Sequence, residues 1–91
     1  MEKGELKYSL LVRFHDRKTG EKTYERRIQG NNQLKILTLI WHIACTRDPN
    51  KEYMTVIVDN DNCKEKPKFL IKALRQHKIA VIEEPLKLPE S

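Results

Sequence analysis

The sequence predicts a small α/β (α+β) domain with the order β-β-α-β-α-β, and three observations predict it. Residues Leu6 to Phe14 alternate apolar and polar with period two. Leu34 to Thr46 is a helix-period segment with one narrow polar stripe. Met54 to Val58 is an unbroken, β-branched apolar run, as expected of a strand covered on both faces.

The elements follow in order. In the first strand Leu6, Tyr8, Leu10, Val12 and Phe14 point one way, while Lys7, Ser9, Arg13 and His15 point the other. Only Leu11 is out of pattern. Asp16 to Gly20 reads as a hairpin loop, with Gly20 supplying a positive φ. Lys22 to Gln29 is the return strand. It offers only Tyr24 and Ile28 to a core, so it is an edge strand guarded by its charges.

Gly30-Asn31-Asn32 breaks that strand and caps the first helix, which ends near Arg47. On this helix Lys35, Thr38, His42 and Thr46 share one stripe, and apolar residues cover roughly 240° of the circumference. That is more than one sheet contact needs. The flank near Trp41 and Cys45 therefore needs a second cover, from the other helix or from a partner. Cys45 itself reads as a small core residue.

Asp48-Pro49-Asn50 is a turn, and Asp59 to Asn62 closes the apolar strand. A second helix is expected from about Lys66 to His77, with Pro67 in its permitted first turn. Phe69, Leu70, Ala73 and Leu74 form its apolar stripe. Ile79 to Ile82 is the last strand. The simplest sheet is mixed and four-stranded, with an antiparallel hairpin and a parallel βαβ unit. Residues 1–84 make the domain and 85–91 a polar tail holding Pro85 and Pro89.

Ninety-one residues hold one core and no more. Two cysteines that form no CxxC pair give no disulfide scaffold, so a reducing cytoplasm is the default. The charged N-terminus lacks the apolar segment of a signal peptide, and no apolar run can span a bilayer. The net charge of +5 speaks against mimicry of nucleic acid and favours nucleic acid, an acidic protein or an anionic membrane as a partner.

Lys64, Lys68, Lys72 and Arg75 fall within about 80° of one another on a helical wheel. Four aligned cations can track a phosphate backbone and release its counterions. The competing reading is a solvated helix face. Against it, the stripe lacks the interspersed acids of a stability-driven surface. Lys35 adds a cation at N3 of the first helix, where Glu or Gln would complete a capping box. A second basic group, Arg13, Arg17, Lys18, Lys22, Arg26 and Arg27, lies on the hairpin and reads as edge protection.

Asp59 and Asp61 sit where a parallel strand ends, the edge at which α/β sheets bind ligands. Two such carboxylates could hold Mg²⁺, although Asp and Asn are also ordinary loop residues. His15, His42 and His77 show no ligand spacing, and no Gly-rich phosphate loop is present.

The run Asn31-Asn32-Gln33-Leu34, then the apolar helix, then Thr55-Val56-Ile57-Val58-Asp59, resembles part of the ribonuclease-H-like fold. The resemblance covers about half the chain. It implies a catalytic Glu at the position of Lys35 and a catalytic Asp at Asp59. The family's first strand, with its Asp-Gly, has no counterpart here; strand topology and not the motif would bring Asp16 near Asp59, if the first and third strands are adjacent. Lys35 reverses the charge at the first position, so the acidic site is incomplete, and two-metal hydrolysis needs its acids.

Three functions are therefore expected, in this order. The first is a non-catalytic binding or regulatory protein, of the kind a phage or mobile element encodes, that contacts nucleic acid or an acidic protein through Lys64, Lys68, Lys72, Arg75 and Lys35. It needs no cofactor. The second is a protein–protein or homodimer interface at Trp41 and His42. The third is a Mg²⁺-dependent nuclease using Asp59 and Asp61.

Overall fold

The computed structural model describes residues 7–59 and 63–84. The order β-β-α-β-α-β is observed: β1 (Tyr8–Asp16), β2 (Lys22–Gly30), α1 (Gln33–Cys45), β3 (Glu52–Asp59), α2 (Lys68–Gln76) and β4 (Ala80–Glu84). The four strands form one mixed sheet in the order β2-β1-β3-β4. β1 runs antiparallel to both neighbours, and β3 and β4 are parallel.

β1 is therefore a central strand. Tyr8, Leu10, Val12 and Phe14 enter the core as their alternation requires. The out-of-pattern Leu11 is buried too, opposite Ile57 on the other face of the sheet. On that second face Arg27 of β2 reaches across β1. It donates to Ser9 Oγ at 3.2 Å and pairs with Asp59 of β3 at 3.5 Å, tying three strands together.

Both helices pack on one face. Ile36, Leu37, Ile40 and Ile43 of α1 share a single core with Leu70, Ile71 and Leu74 of α2. The reason is topological. β2 and β3 are each antiparallel to β1 and so run the same way. The connections β2-α1-β3 and β3-α2-β4 advance in the same direction across the sheet. Crossovers of one hand that advance together lay their helices on the same face. The helices are parallel as well: Gln33 at the start of α1 meets Leu70 at the start of α2, and Trp41 meets His77 near their ends.

α1 begins at Asn32, whose side-chain oxygen accepts from the N–H groups of Leu34 and Lys35. Asn31 does a different job and accepts from the N–H of Lys7 at 2.7 Å. α2 is nine residues long and has no side-chain cap from Pro67. A helix that short does not hold alone in water. Burial of Leu70, Ile71 and Leu74, about 1.5–3 kcal/mol each, holds it on the sheet.

α2 ends in a Schellman turn. The N–H of Ile79 bonds to Leu74 O at 3.0 Å and that of Lys78 to Arg75 O at 2.9 Å. Lys78 stands at the left-handed position with φ +61°, where glycine is the usual residue.

The structure differs from several expectations. α2 starts at Lys68, so Lys64 lies before the helix and outside its cationic stripe. Its N–H bonds to Lys7 O at 2.8 Å instead. Phe69 is 52% exposed, and Ile71 takes the core position beside Leu70 and Leu74. Cys45 is exposed, because its place on the wheel is next to Leu34 and Thr38. β3 begins two residues earlier than expected, and β4 runs on through Glu83 and Glu84. The expected tail, 85–91, lies outside the described residues, as does Asp61. Among the described residues no helix is long and apolar enough to cross a membrane.

Candidate functional site

Lys68, Lys72 and Arg75 fall within about 60° of one another on the outer face of α2. The helix lies along the β4 side of the sheet, so these cations overhang the last strand. Lys66, from the segment before the helix, joins them. With Ile71 as floor and Glu83 of β4 as the far wall, they line a depression of about 480 Å³.

The charges in it are unevenly matched. Glu83 is held by Lys66 Nζ at 2.9 Å and by Arg75 Nη2 at 3.4 Å. Arg75 also donates to Val81 O at 3.4 Å. Lys68 and Lys72 have no ion pair with any described residue. Among the described residues, four cations thus share one acid.

Sequence reasoning named Lys68, Lys72 and Arg75 and missed Lys66 and Glu83. Val81 packs on the core, so period two carries Glu83 to the same helix-covered face of β4. That signal was available. The low strand preference of Glu concealed it.

Lys35 is not brought to this place. It sits on the opposite flank of α1, beside Ile28, Gly30 and Leu39, toward β2. Lys64 is exposed and is not among the lining residues.

Of the expected protein interface, His42 is exposed and Trp41 is half-buried. The indole packs on the core and meets the His77 ring edge-on, centroids 5.1 Å apart. The second helix therefore covers the Trp41 flank. Of the exposed large apolar residues described, Leu34 at 58% and Phe69 at 52% stand out furthest, ahead of Tyr53 and Ile82 at 39% each. Since Gln33 touches Leu70, these two stand level with each other on the adjacent starts of the helices.

The acids are dispersed. Asp59 is 1% exposed, at the carboxyl end of β3, and faces Arg27. Asp16 stands at the other end of the sheet, because β1 and β3 are antiparallel and Asp16 pairs with Glu52. Seven residues of strand, about 23 Å, separate Glu52 from Asp59. The proximity of Asp16 to Asp59 that the sequence allowed is not found. Asp16 accepts from the N–H groups of Lys18 and Thr19 and shapes the hairpin loop. Among the described residues no group of three or more His, Cys, Asp or Glu side chains could hold a metal ion.

The hairpin cations are largely engaged. Arg13 and Lys22 pair with Glu25 at 2.7 and 2.9 Å, and Arg17 Nε donates to Pro49 O at 2.8 Å. Arg47, after α1, binds both oxygens of Glu52 at 2.8 and 2.9 Å and lies over the Tyr24 ring at 4.8 Å. The hydrogen bond from Arg47 holds the Glu52 carboxyl below the usual glutamate range, and the same bond raises Arg47.

Cys63 completes the edge of β1 next to Asp59. Its Sγ accepts from Ser9 N–H at 3.3 Å and donates to Ser9 O at 3.5 Å, taking the place of a strand neighbour's peptide group. Burial pushes this thiol up, and the nearby negative charge of Asp59 adds to the effect, although the Ser9 backbone bond opposes it.

No known protein family, curated protein or solved structure matches this chain.

Proposed function

We propose that this protein is a non-catalytic nucleic-acid-binding protein that grips the phosphate backbone in the cleft between α2 and β4. One observation carries the reading: Lys66, Lys68, Lys72 and Arg75 surround a single depression whose only acid among the described residues is Glu83. Cations so grouped neutralise successive phosphates and release their counterions, which gives affinity without base sequence preference.

The test is fluorescence anisotropy of a labelled single-stranded oligonucleotide between about 50 and 200 mM salt. Affinity falls steeply over that range. Lys68→Gln and Lys72→Gln each reduce the log–log salt slope by about 0.7, the value for one phosphate on a single strand. Lys35→Gln, on the far flank of α1, leaves it unchanged. Tight binding that persists in high salt, or equal losses from all three variants, refutes the reading.

A second reading, self-association, is supported by Leu34 and Phe69, which place two large apolar side chains in water on neighbouring helices. It predicts a mass that rises with concentration.

A further inference from the structure

Resting on that reading of the α2 cleft, we infer that the Glu83 carboxylate occupies the seat of one backbone phosphate and leaves it when nucleic acid binds. Lys66 and Arg75 come from opposite ends of α2 and converge on one anion from β4, with N···O separations of 2.9 and 3.4 Å. A carboxylate and a phosphodiester each spread one negative charge over two oxygens. The two cations can therefore exchange one for the other without a change in net charge or in the number of donors satisfied.

The exchange costs little. Both ion pairs have one half-exposed partner, Lys66 at 51% and Arg75 at 55%, and pairs of that kind contribute weakly to stability. Glu83 lies one residue from the end of β4, in register with Val58 of β3. What drives the exchange is the rest of the depression. Lys68 and Lys72 line it, and the carboxylate satisfies neither.

A selectivity follows. A lone phosphate gains only what Glu83 gives up. A polymer that delivers one phosphate to Lys66 and Arg75 carries its neighbours to Lys68 and Lys72. Glu83 thus acts as a built-in competitor that rejects isolated phosphate groups and admits a chain of them.

The experiment compares the full-length protein with its Glu83→Gln variant, using labelled oligothymidylate across the same salt range. The variant is expected to bind roughly tenfold more tightly at the low-salt end. Its log–log slope stays that of the unaltered protein, because the same phosphates are neutralised once Glu83 has left its seat. In the unaltered protein, the carboxyl ¹³C signal of Glu83 shifts on adding oligothymidylate and stays in place with inorganic phosphate at matched ionic strength.

Equal or weaker binding by Glu83→Gln, while Lys72→Gln still loses affinity, overturns the inference and leaves the cleft reading intact. Failure of both proteins to bind at low salt overturns the cleft reading itself. If the variant does not fold, the NMR titration decides: a Glu83 signal unmoved at saturating oligothymidylate overturns the exchange.

Discussion

Gln33 Oε1, in the first residue of α1, accepts a hydrogen bond from the Leu70 N–H at 2.9 Å, so the start of one helix caps the start of the other. The same amide donates through Nε2 to Tyr8 Oη at 3.2 Å, and Tyr8 donates to Glu65 at 3.0 Å. One side chain thereby joins α1, α2, β1 and the segment leading into α2. Gln33→Leu strands the Leu70 N–H and is expected to cost about 1–3 kcal/mol. Gln33→Glu keeps the acceptor and recovers part of that loss. Urea unfolding measures both. Equal stability of the leucine variant and the unaltered protein refutes the capping role.

Lys78 holds φ +61° at the end of α2. A side chain there costs about 1–2 kcal/mol, of which the unfolded-state freedom of glycine takes back up to 1. Lys78→Gly is therefore expected to raise stability by about 0.5–1 kcal/mol, while Lys78→Ala gains nothing. Thermal unfolding distinguishes them.

The Arg47–Glu52 bridge makes stability depend on pH in a defined direction. The folded carboxyl lies below the ordinary value of 4.5. Its contribution is thus complete above that value and is lost as pH falls through the folded pKa. Glu25, lowered by its bond to Arg13 and then by Lys22, behaves the same way. The melting temperature should decline as pH drops below about 4.5. Glu52→Gln starts lower and declines less. A Glu52→Gln curve parallel to that of the unaltered protein excludes the linkage.

The two thiols should react at different rates. Cys45 is exposed. Cys63 is bonded in both directions to Ser9 and has its pKa raised by burial, which keeps it from the reactive thiolate form. A thiol reagent at mildly alkaline pH should modify one group per chain quickly and the second only on unfolding. Peptide mapping after brief labelling should find Cys45; label on Cys63 contradicts the structure.

Leu34→Ser combined with Phe69→Ser should change stability by less than about 0.5 kcal/mol per site, since neither side chain is in the core. Sedimentation velocity then separates the two functional readings. If the unaltered protein associates and this pair abolishes it, the helix starts are an interface. If the mass is constant at all concentrations, they are not.

Local pattern was legible wherever one face of an element is buried. The alternation through Phe14 located β1, and Asn32 located the start of α1 within a residue. Strand order was not legible, because nothing in β1 alone says that it has neighbours on both sides. The burial of Leu11 was the one trace of it. The side of the sheet occupied by α2 depended on that order. Phe69 misled because it stands on the shoulder of its helix, about 100° from Leu70, where a side chain can face either way. Glu83 was lost with the strand end, and with it the acid that answers the cationic face.

The parallel course of α1 and α2 has an electrical consequence. Antiparallel helices cancel their peptide dipoles, but these two add, each presenting roughly half a positive charge at its first turn. Both first turns lie at the same end of the molecule, as does Lys66. Negative charge brought to that end is therefore stabilised by two helix starts at once, which neither helix alone would supply.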